Sequence, residues 1–269
     1  MALTSEQHDL VETISRVLAA DAEIEAAWLG GSLGGGGGDA FSDVDVVALV
    51  SPAAPAEVGL RYAQGGVAAI AEPALVNPLF GGRVVNVVAT DWRRFDISFI
   101  GPGELGRFDA ARLTVLFNRG DRAPAVAESS PYRTTHDAVL KLVNEFLRVL
   151  GLLAVVVGRE EYVLGLSGTD LLRRLTIDLM LEENGVGPAE RGGALLRNPL
   201  LTPEQRRQLD ALSPVVADRA GLIASNAELA AIFLPRARRL AAEIGMDWPS
   251  ILDAATRRCL RERLGLVID

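Results

Sequence analysis

The sequence predicts an α+β fold in which an N-terminal part mixing strands with helices is followed by an all-helical part. Two patterns carry the prediction. Short β-branched runs bounded by turn residues recur as far as Phe117 and then stop. From about residue 132 the apolar positions follow a helical period instead. With 269 residues, 49% of them hydrophobic, the chain is long and apolar enough to bury a real core and is not a disordered sequence.

Residues 4–20 read as an amphipathic helix: Thr4 and Gln7 have the spacing of a capping box, and Leu10, Val11, Ile14, Val17 and Leu18 share one face. A short strand follows at Ile24–Leu29, then a glycine tract, then Val44–Val50, whose length and β-branching mark a largely buried strand. The segment 55–72 has helical composition, with Gly65-Gly66 as its weak point. Further strands are predicted at Arg83–Thr90, Arg94–Ile100 and Leu113–Phe117. Beyond the polar segment 120–134, helices are predicted over 134–158, 168–185, 202–212, 225–245 and 250–265. Asn184-Gly185 is the stop signal of the second, and Thr202, Pro203 and Gln205 form the start signal of the third. The division is set at 1–125 and 126–269.

Composition excludes several functions. A net charge of −8 argues against a nucleic-acid binder that relies on a basic surface. Cys259 is the single cysteine and His8 and His136 are the two histidines, which rules out an intrachain disulfide and a cysteine or histidine-rich metal centre. The N-terminal residues lack the pattern of a signal peptide, and the longest apolar run, Val149–Gly158, is far shorter than a membrane span. The expectation is a cytoplasmic protein with neither nucleic acid nor membrane as partner. Lys141 is the only lysine, so arginine carries nearly all the basic charge; this is the usage of a GC-rich genome, which also enriches glycine.

The chemistry concentrates in "GGSLGGGGGDAFSDVDVVALV", Gly30–Val50. Residues two apart on a strand share a face, so Asp43 and Asp45 project side by side and repel. Either one takes a proton or a divalent cation sits between them. Magnesium takes oxygen ligands, commonly one or two carboxylates plus substrate phosphates. Asp96, which interrupts the apolar strand "RFDISFI", is the candidate third carboxylate of a two-metal site. On pattern alone, an ordinary polar residue on an exposed strand face explains Asp96 equally well. Gly30-Gly31-Ser32 follows a strand, so backbone N–H groups and the Ser32 hydroxyl can face a triphosphate with no Cβ in the way. No Gly-Lys-Ser/Thr ends the turn, so it is not a Walker loop.

This stretch resembles the signature of the DNA polymerase β-like nucleotidyltransferases, and within them the aminoglycoside-modifying enzymes. Their pattern is Gly-Ser, about ten residues, then Ser-Asp-x-Asp and an apolar strand; here Ser32 stands eleven positions before Asp43, and Ser42 precedes it. The resemblance covers residues 28–50, extends to Asp96 and is looser over the helical half. It implies an N-terminal mixed sheet with flanking helices as catalytic domain and a helical acceptor-binding domain. It implies Gly31 and Ser32 as holders of the β- and γ-phosphates, and Asp43, Asp45 and Asp96 as catalytic carboxylates and ligands of two Mg2+ ions, Asp96 being alternatively the base. The implied reaction moves a nucleoside monophosphate, AMP above all, from ATP or another NTP to a hydroxyl of a small, aminoglycoside-like acceptor and releases pyrophosphate. There is one departure: members of the family carry an Arg and a small helix after the Gly-Ser, whereas Leu33 is followed only by glycines until Asp39. Each glycine weakens a helix by roughly 1 kcal/mol relative to alanine, so that helix is expected to fray, with Gly34–Gly38 read as drift in a loop.

Two other functions fit parts of the pattern. A non-catalytic nucleotide or partner binder on the same fold would explain the departure. An Asp-x-Asp glycosyltransferase would explain the carboxylates but not the upstream Gly-Ser. In the helical half, Glu160, Glu161 and Asp170 are candidates for gripping a cationic acceptor, Glu145 for a base and Arg173-Arg174 for phosphates; solvated helix faces account for all of them first.

Overall fold

The computed structural model describes residues 3–124, 131–191 and 197–268. The chain forms two compact units, Met1–Ser129 and Ser130–Asp269. The expected boundary between residues 125 and 126 lies outside the described residues. The fold class is the expected one, a mixed sheet with flanking helices followed by an all-helical part.

In the first unit, β1 (Ile24–Leu29), β2 (Val44–Val50), β3 (Pro73–Leu79), β4 (Val84–Ala89), β5 (Arg94–Ile100) and β6 (Thr114–Asn118) form one sheet in the order β3-β4-β5-β2-β1-β6. β2 and β5 run parallel, and the other neighbours pair antiparallel. Helices α1 (Ser5–Ala20) and α3 (Pro55–Ala63) cover one face. There Leu10, Ile14, Leu18, Val58 and Tyr62 pack with Val44, Val46, Phe95, Ile97 and Phe99. The other face carries a smaller cluster around Trp28, Val47, Leu49 and Leu105. Central β2 is therefore apolar on both faces, as buried strands are, except at Asp45.

Two differences from the sequence reading have plain causes. Strand β3 is not predicted, because Pro73 and Pro78 argue against a strand; it is an edge strand, mostly exposed, where proline is tolerated. The helix expected over 55–72 ends at Ala63, and after Gly65 the chain continues as a 3-10 turn, Gly66–Ala69.

The second unit contains α4 (His136–Gly158), α5 (Tyr162–Glu183), α6 (Pro203–Asp210), α7 (Arg219–Ile244) and α8 (Ser250–Leu264). Val143, Leu147, Leu172, Leu179 and Leu229 line its core, where the Phe146 and Phe233 rings stack at 3.8 Å between centroids. Helix α5 starts earlier than the glycines at 165 and 168 imply. A Cβ on Gly165 would lie 2.5 Å from the Leu222 side chain, so this glycine lets α7 close on α5 rather than breaking the helix.

The helix after the Gly-Ser is a single turn, Gly31–Gly34 (α2), with the Gly34 N–H donating to Gly30 O at 2.7 Å and the Gly35 N–H to Gly31 O at 3.3 Å; Gly35–Gly38 leave it as turn and loop, as expected, and only Gly34 of the tract is helical. The tract is nevertheless not mere drift. Nor are its glycines interchangeable. A Cβ on Gly34 would lie 2.2 Å from Leu29 O and 2.8 Å from Arg112 O, both backbone atoms, whereas one on Gly37 would meet nothing nearer than Ser32 O at 4.0 Å. Gly34→Ala is accordingly expected to destabilise the protein by about 1–3 kcal/mol through overpacking, with Gly37→Ala within about 0.5 kcal/mol of wild type. Urea denaturation of the two variants checks this, and equal effects would return the tract to the status of a linker.

Candidate functional site

The register of the sheet builds the site. Asp45 on β2 is the partner of Asp96 on parallel β5, and Asp96 in turn faces Asn86 on β4. Adjacent strands lie roughly 4.8 Å apart, so these side chains stand as a row on one face of the sheet. The opposite side of each strand supplies the main core through Val44, Val46, Phe95 and Ile97, so alternation forces Asp45 and Asp96 away from it. Asp43 sits one residue before β2, and its charge reaches both other carboxylates. The structure thus brings together the three aspartates singled out in the sequence.

Gly31 and Ser32 arrive at the same place from the end of β1. The Gly30 N–H donates to the Asp45 carbonyl at 2.8 Å, which seats the Gly-Gly-Ser turn on the head of β2. Gly31 has a φ of +57°, and a Cβ there would lie 1.9 Å from Asp45 Oδ2 and 2.7 Å from its Cγ. Both the left-handed backbone and the space taken by the carboxylate demand glycine. Ser32 is half-buried in α2 beside it.

Electrostatics register the crowding. Burial, then the charge of Asp43, then that of Asp96 push the Asp45 carboxyl up from its ordinary 3.8 to about 6. Asp96 is also raised, chiefly by burial and further by Asp43; a hydrogen bond from Asn86 Nδ2 to Asp96 Oδ1 at 2.6 Å and the charge of Arg94 pull it back. Sequence reasoning missed Asn86. The signal was available, since Asn86 interrupts the apolar run of β4 as Asp96 interrupts β5.

The donor set suits a hard divalent cation: oxygen ligands only, with net negative charge and a glycine cradle against one of them. Among the described residues, however, no three Asp, Glu, His or Cys side chains stand closed around one point as a finished metal cage.

Of the peripheral candidates in the helical unit, Glu145, Asp170, Arg173 and Arg174 are engaged in ordinary surface pairs. Glu145 accepts from Arg148 at 2.6 and 2.8 Å, and Asp170 pairs with Arg174 one turn away. No helix among the described residues is long and apolar enough to cross a membrane.

No family model matches the chain, and no curated protein matches it. Among solved structures it is similar to an aminoglycoside 6-adenyltransferase from Bacillus subtilis, at 14% identity and a TM-score of 0.45, over 96% of this chain and 98% of that one. A likeness that distant says nothing of this chain's chemistry.

The raised Asp45 carboxyl has a consequence for stability. A folded-state pKa above the unfolded value means that stability is fully present below about pH 4 and is lost as pH rises through about 6. The full shift corresponds to about 3 kcal/mol; partial exposure of the carboxylate and solvent screening reduce it to about 1–2 kcal/mol. In chelator, Asp45→Asn is expected to be more stable than wild type by that amount at pH 7, with the advantage gone at pH 4. Melting curves across that range check it, and a pH-independent difference would contradict an electrostatic origin.

Proposed function

We propose that the protein is a magnesium-dependent nucleotidyltransferase that moves a nucleoside monophosphate, AMP above all, from an NTP to a hydroxyl of a small, aminoglycoside-like acceptor. The observation that carries this reading is the pairing of Asp45 with Asp96 across parallel strands, with Asp43 in electrostatic reach and Gly31 pressed onto Asp45. Isolated, such a cluster is unfavourable. It becomes favourable when cations and triphosphate occupy it.

Asp43, Asp45 and Asp96 are the proposed ligands of two Mg2+ ions, and Gly31 and Ser32 the proposed hold on the β- and γ-phosphates. When bound, the ions supply charge neutralisation of the phosphates and align the attacking and leaving oxygens. The acceptor oxygen bonds to the α-phosphorus while the bond from that phosphorus to the bridging oxygen breaks, and the electron pair leaves with pyrophosphate. The hydroxyl proton passes to a carboxylate, with Asp96 proposed as that base or as third ligand. Asn86 occupies Oδ1 of Asp96, which leaves Oδ2 for either task. Positioning supplies most of the catalysis in such transfers. Residues 1–125 are the proposed catalytic domain and 126–269 the proposed acceptor-binding domain.

Isothermal titration with ATP and each other NTP, with and without magnesium, on wild type and Asp45→Asn tests the reading. Magnesium-dependent binding is expected, weakened at least tenfold by the substitution, with pyrophosphate released when a panel of aminoglycosides and other small alcohols is added. Equal binding by both proteins, or none by either, would overturn it. Binding without pyrophosphate release from any acceptor would make the protein a nucleotide binder on this fold.

A further inference from the structure

The loop that carries Asp43 is tied to a helix far away in the sequence. Gln7, in the first turn of α1, is 8% exposed and uses every hydrogen-bonding group of its amide. Its Oε1 accepts from the Thr4 N–H at 2.9 Å, closing the capping box. Its Nε2 donates to Asp39 O at 2.8 Å and to Ser42 O at 3.0 Å. The first bond belongs to the helix; the other two belong to the loop.

The rest of the loop is braced from within and from β5. Ser42 Oγ accepts from the Asp39 N–H at 3.0 Å, and the Phe41 N–H donates to Asp39 Oδ1 at 2.9 Å. Arg94 Nη2 donates to Phe41 O at 2.8 Å. The carbonyls of residues 39, 41 and 42 are thus all held by side chains from other elements. The Ser42 carbonyl matters most: it shares a planar peptide with the Asp43 nitrogen, so fixing that oxygen fixes the plane from which the Asp43 Cα departs. Asp43 lies outside β2 and lacks the ladder that holds Asp45 and Asp96. Some other restraint must set its carboxylate, and a buried, fully paired amide is a stiff one.

We propose that Gln7 is a positioning residue for Asp43, acting through the Ser42 peptide, and that it sets how tightly the carboxylate row holds a divalent cation. The proposal rests on the proposed role of Asp43 as a metal ligand. Groups that orient a metal ligand without touching the metal commonly change its affinity 10- to 100-fold.

The test is Mn2+ affinity, followed by electron paramagnetic resonance with a non-hydrolysable ATP analogue present, for wild type and three variants. Gln7→Met, close in size but unable to donate, is expected to weaken Mn2+ binding about tenfold or more. Ser42→Ala, which loosens the same loop without touching α1, is expected to weaken it in the same direction. Thr4→Ala removes the side-chain cap on the Gln7 N–H but neither loop bond; it should lower the melting temperature and leave Mn2+ affinity at the wild-type value. Unchanged affinity in both Gln7→Met and Ser42→Ala would overturn the proposal, as would an equal loss in Thr4→Ala, which would assign the effect to helix stability. Absence of Mn2+ binding by wild type would instead remove the proposed function, and this inference with it.

Discussion

The structure turns on like charges held together. Three carboxylates lie within electrostatic reach of one another at the heads of two parallel strands, and that of Asp45 is raised to about 6 by burial and by its neighbours. Cross-strand pairs of like charge normally destabilise a sheet, and proteins avoid them. Here the surrounding architecture preserves the pair: β2 and β5 are pinned by the apolar core on their other face, and the Gly-Gly-Ser turn is hydrogen-bonded onto Asp45. The apolar packing supplies the rigidity, and the charge cluster uses it.

The same economy explains the departures from good helix and strand chemistry in the first unit. Position 31 is glycine because its backbone is left-handed and because any side chain would strike the Asp45 carboxylate. Gly34 lies against two backbone carbonyls, one at the end of β1 and one at Arg112, so α2 is held down from both sides despite a poor helical sequence. Tertiary contact overrides propensity where the chain must pass close to itself. Glycine-rich composition is thereby compatible with an ordered turn, and the turn delivers its backbone to the carboxylate row.

Much of the site was legible in the sequence because strand alternation is a strict rule. An Asp-x-Asp leading into an apolar strand, and a lone aspartate in "RFDISFI", both announce side chains that the core excludes. That Asp45 and Asp96 are direct partners was not legible, since register depends on how β5 pairs in parallel with β2 across the chain. Asn86 obeys the same alternation as Asp96 and was readable by the same rule, but an amide in a strand attracts less notice than an acid. The prolines of β3 hid an edge strand, and the glycines at the start of α5 hid a close helix contact. The second role of Gln7 was beyond reach: a capping box is a local pattern, whereas its bonds to residues 39 and 42 are tertiary.

On the proposed function, the carboxylate row exists to share a cation with a nucleotide. Anomalous diffraction from crystals grown with Mn2+ and a non-hydrolysable ATP analogue addresses it most directly. Metal peaks are expected about 2.0–2.3 Å from carboxylate oxygens of Asp43 and Asp45, between them and the phosphates, with Asp96 within reach of the same ions. Nucleotide bound elsewhere, or metal that touches neither aspartate, would contradict it.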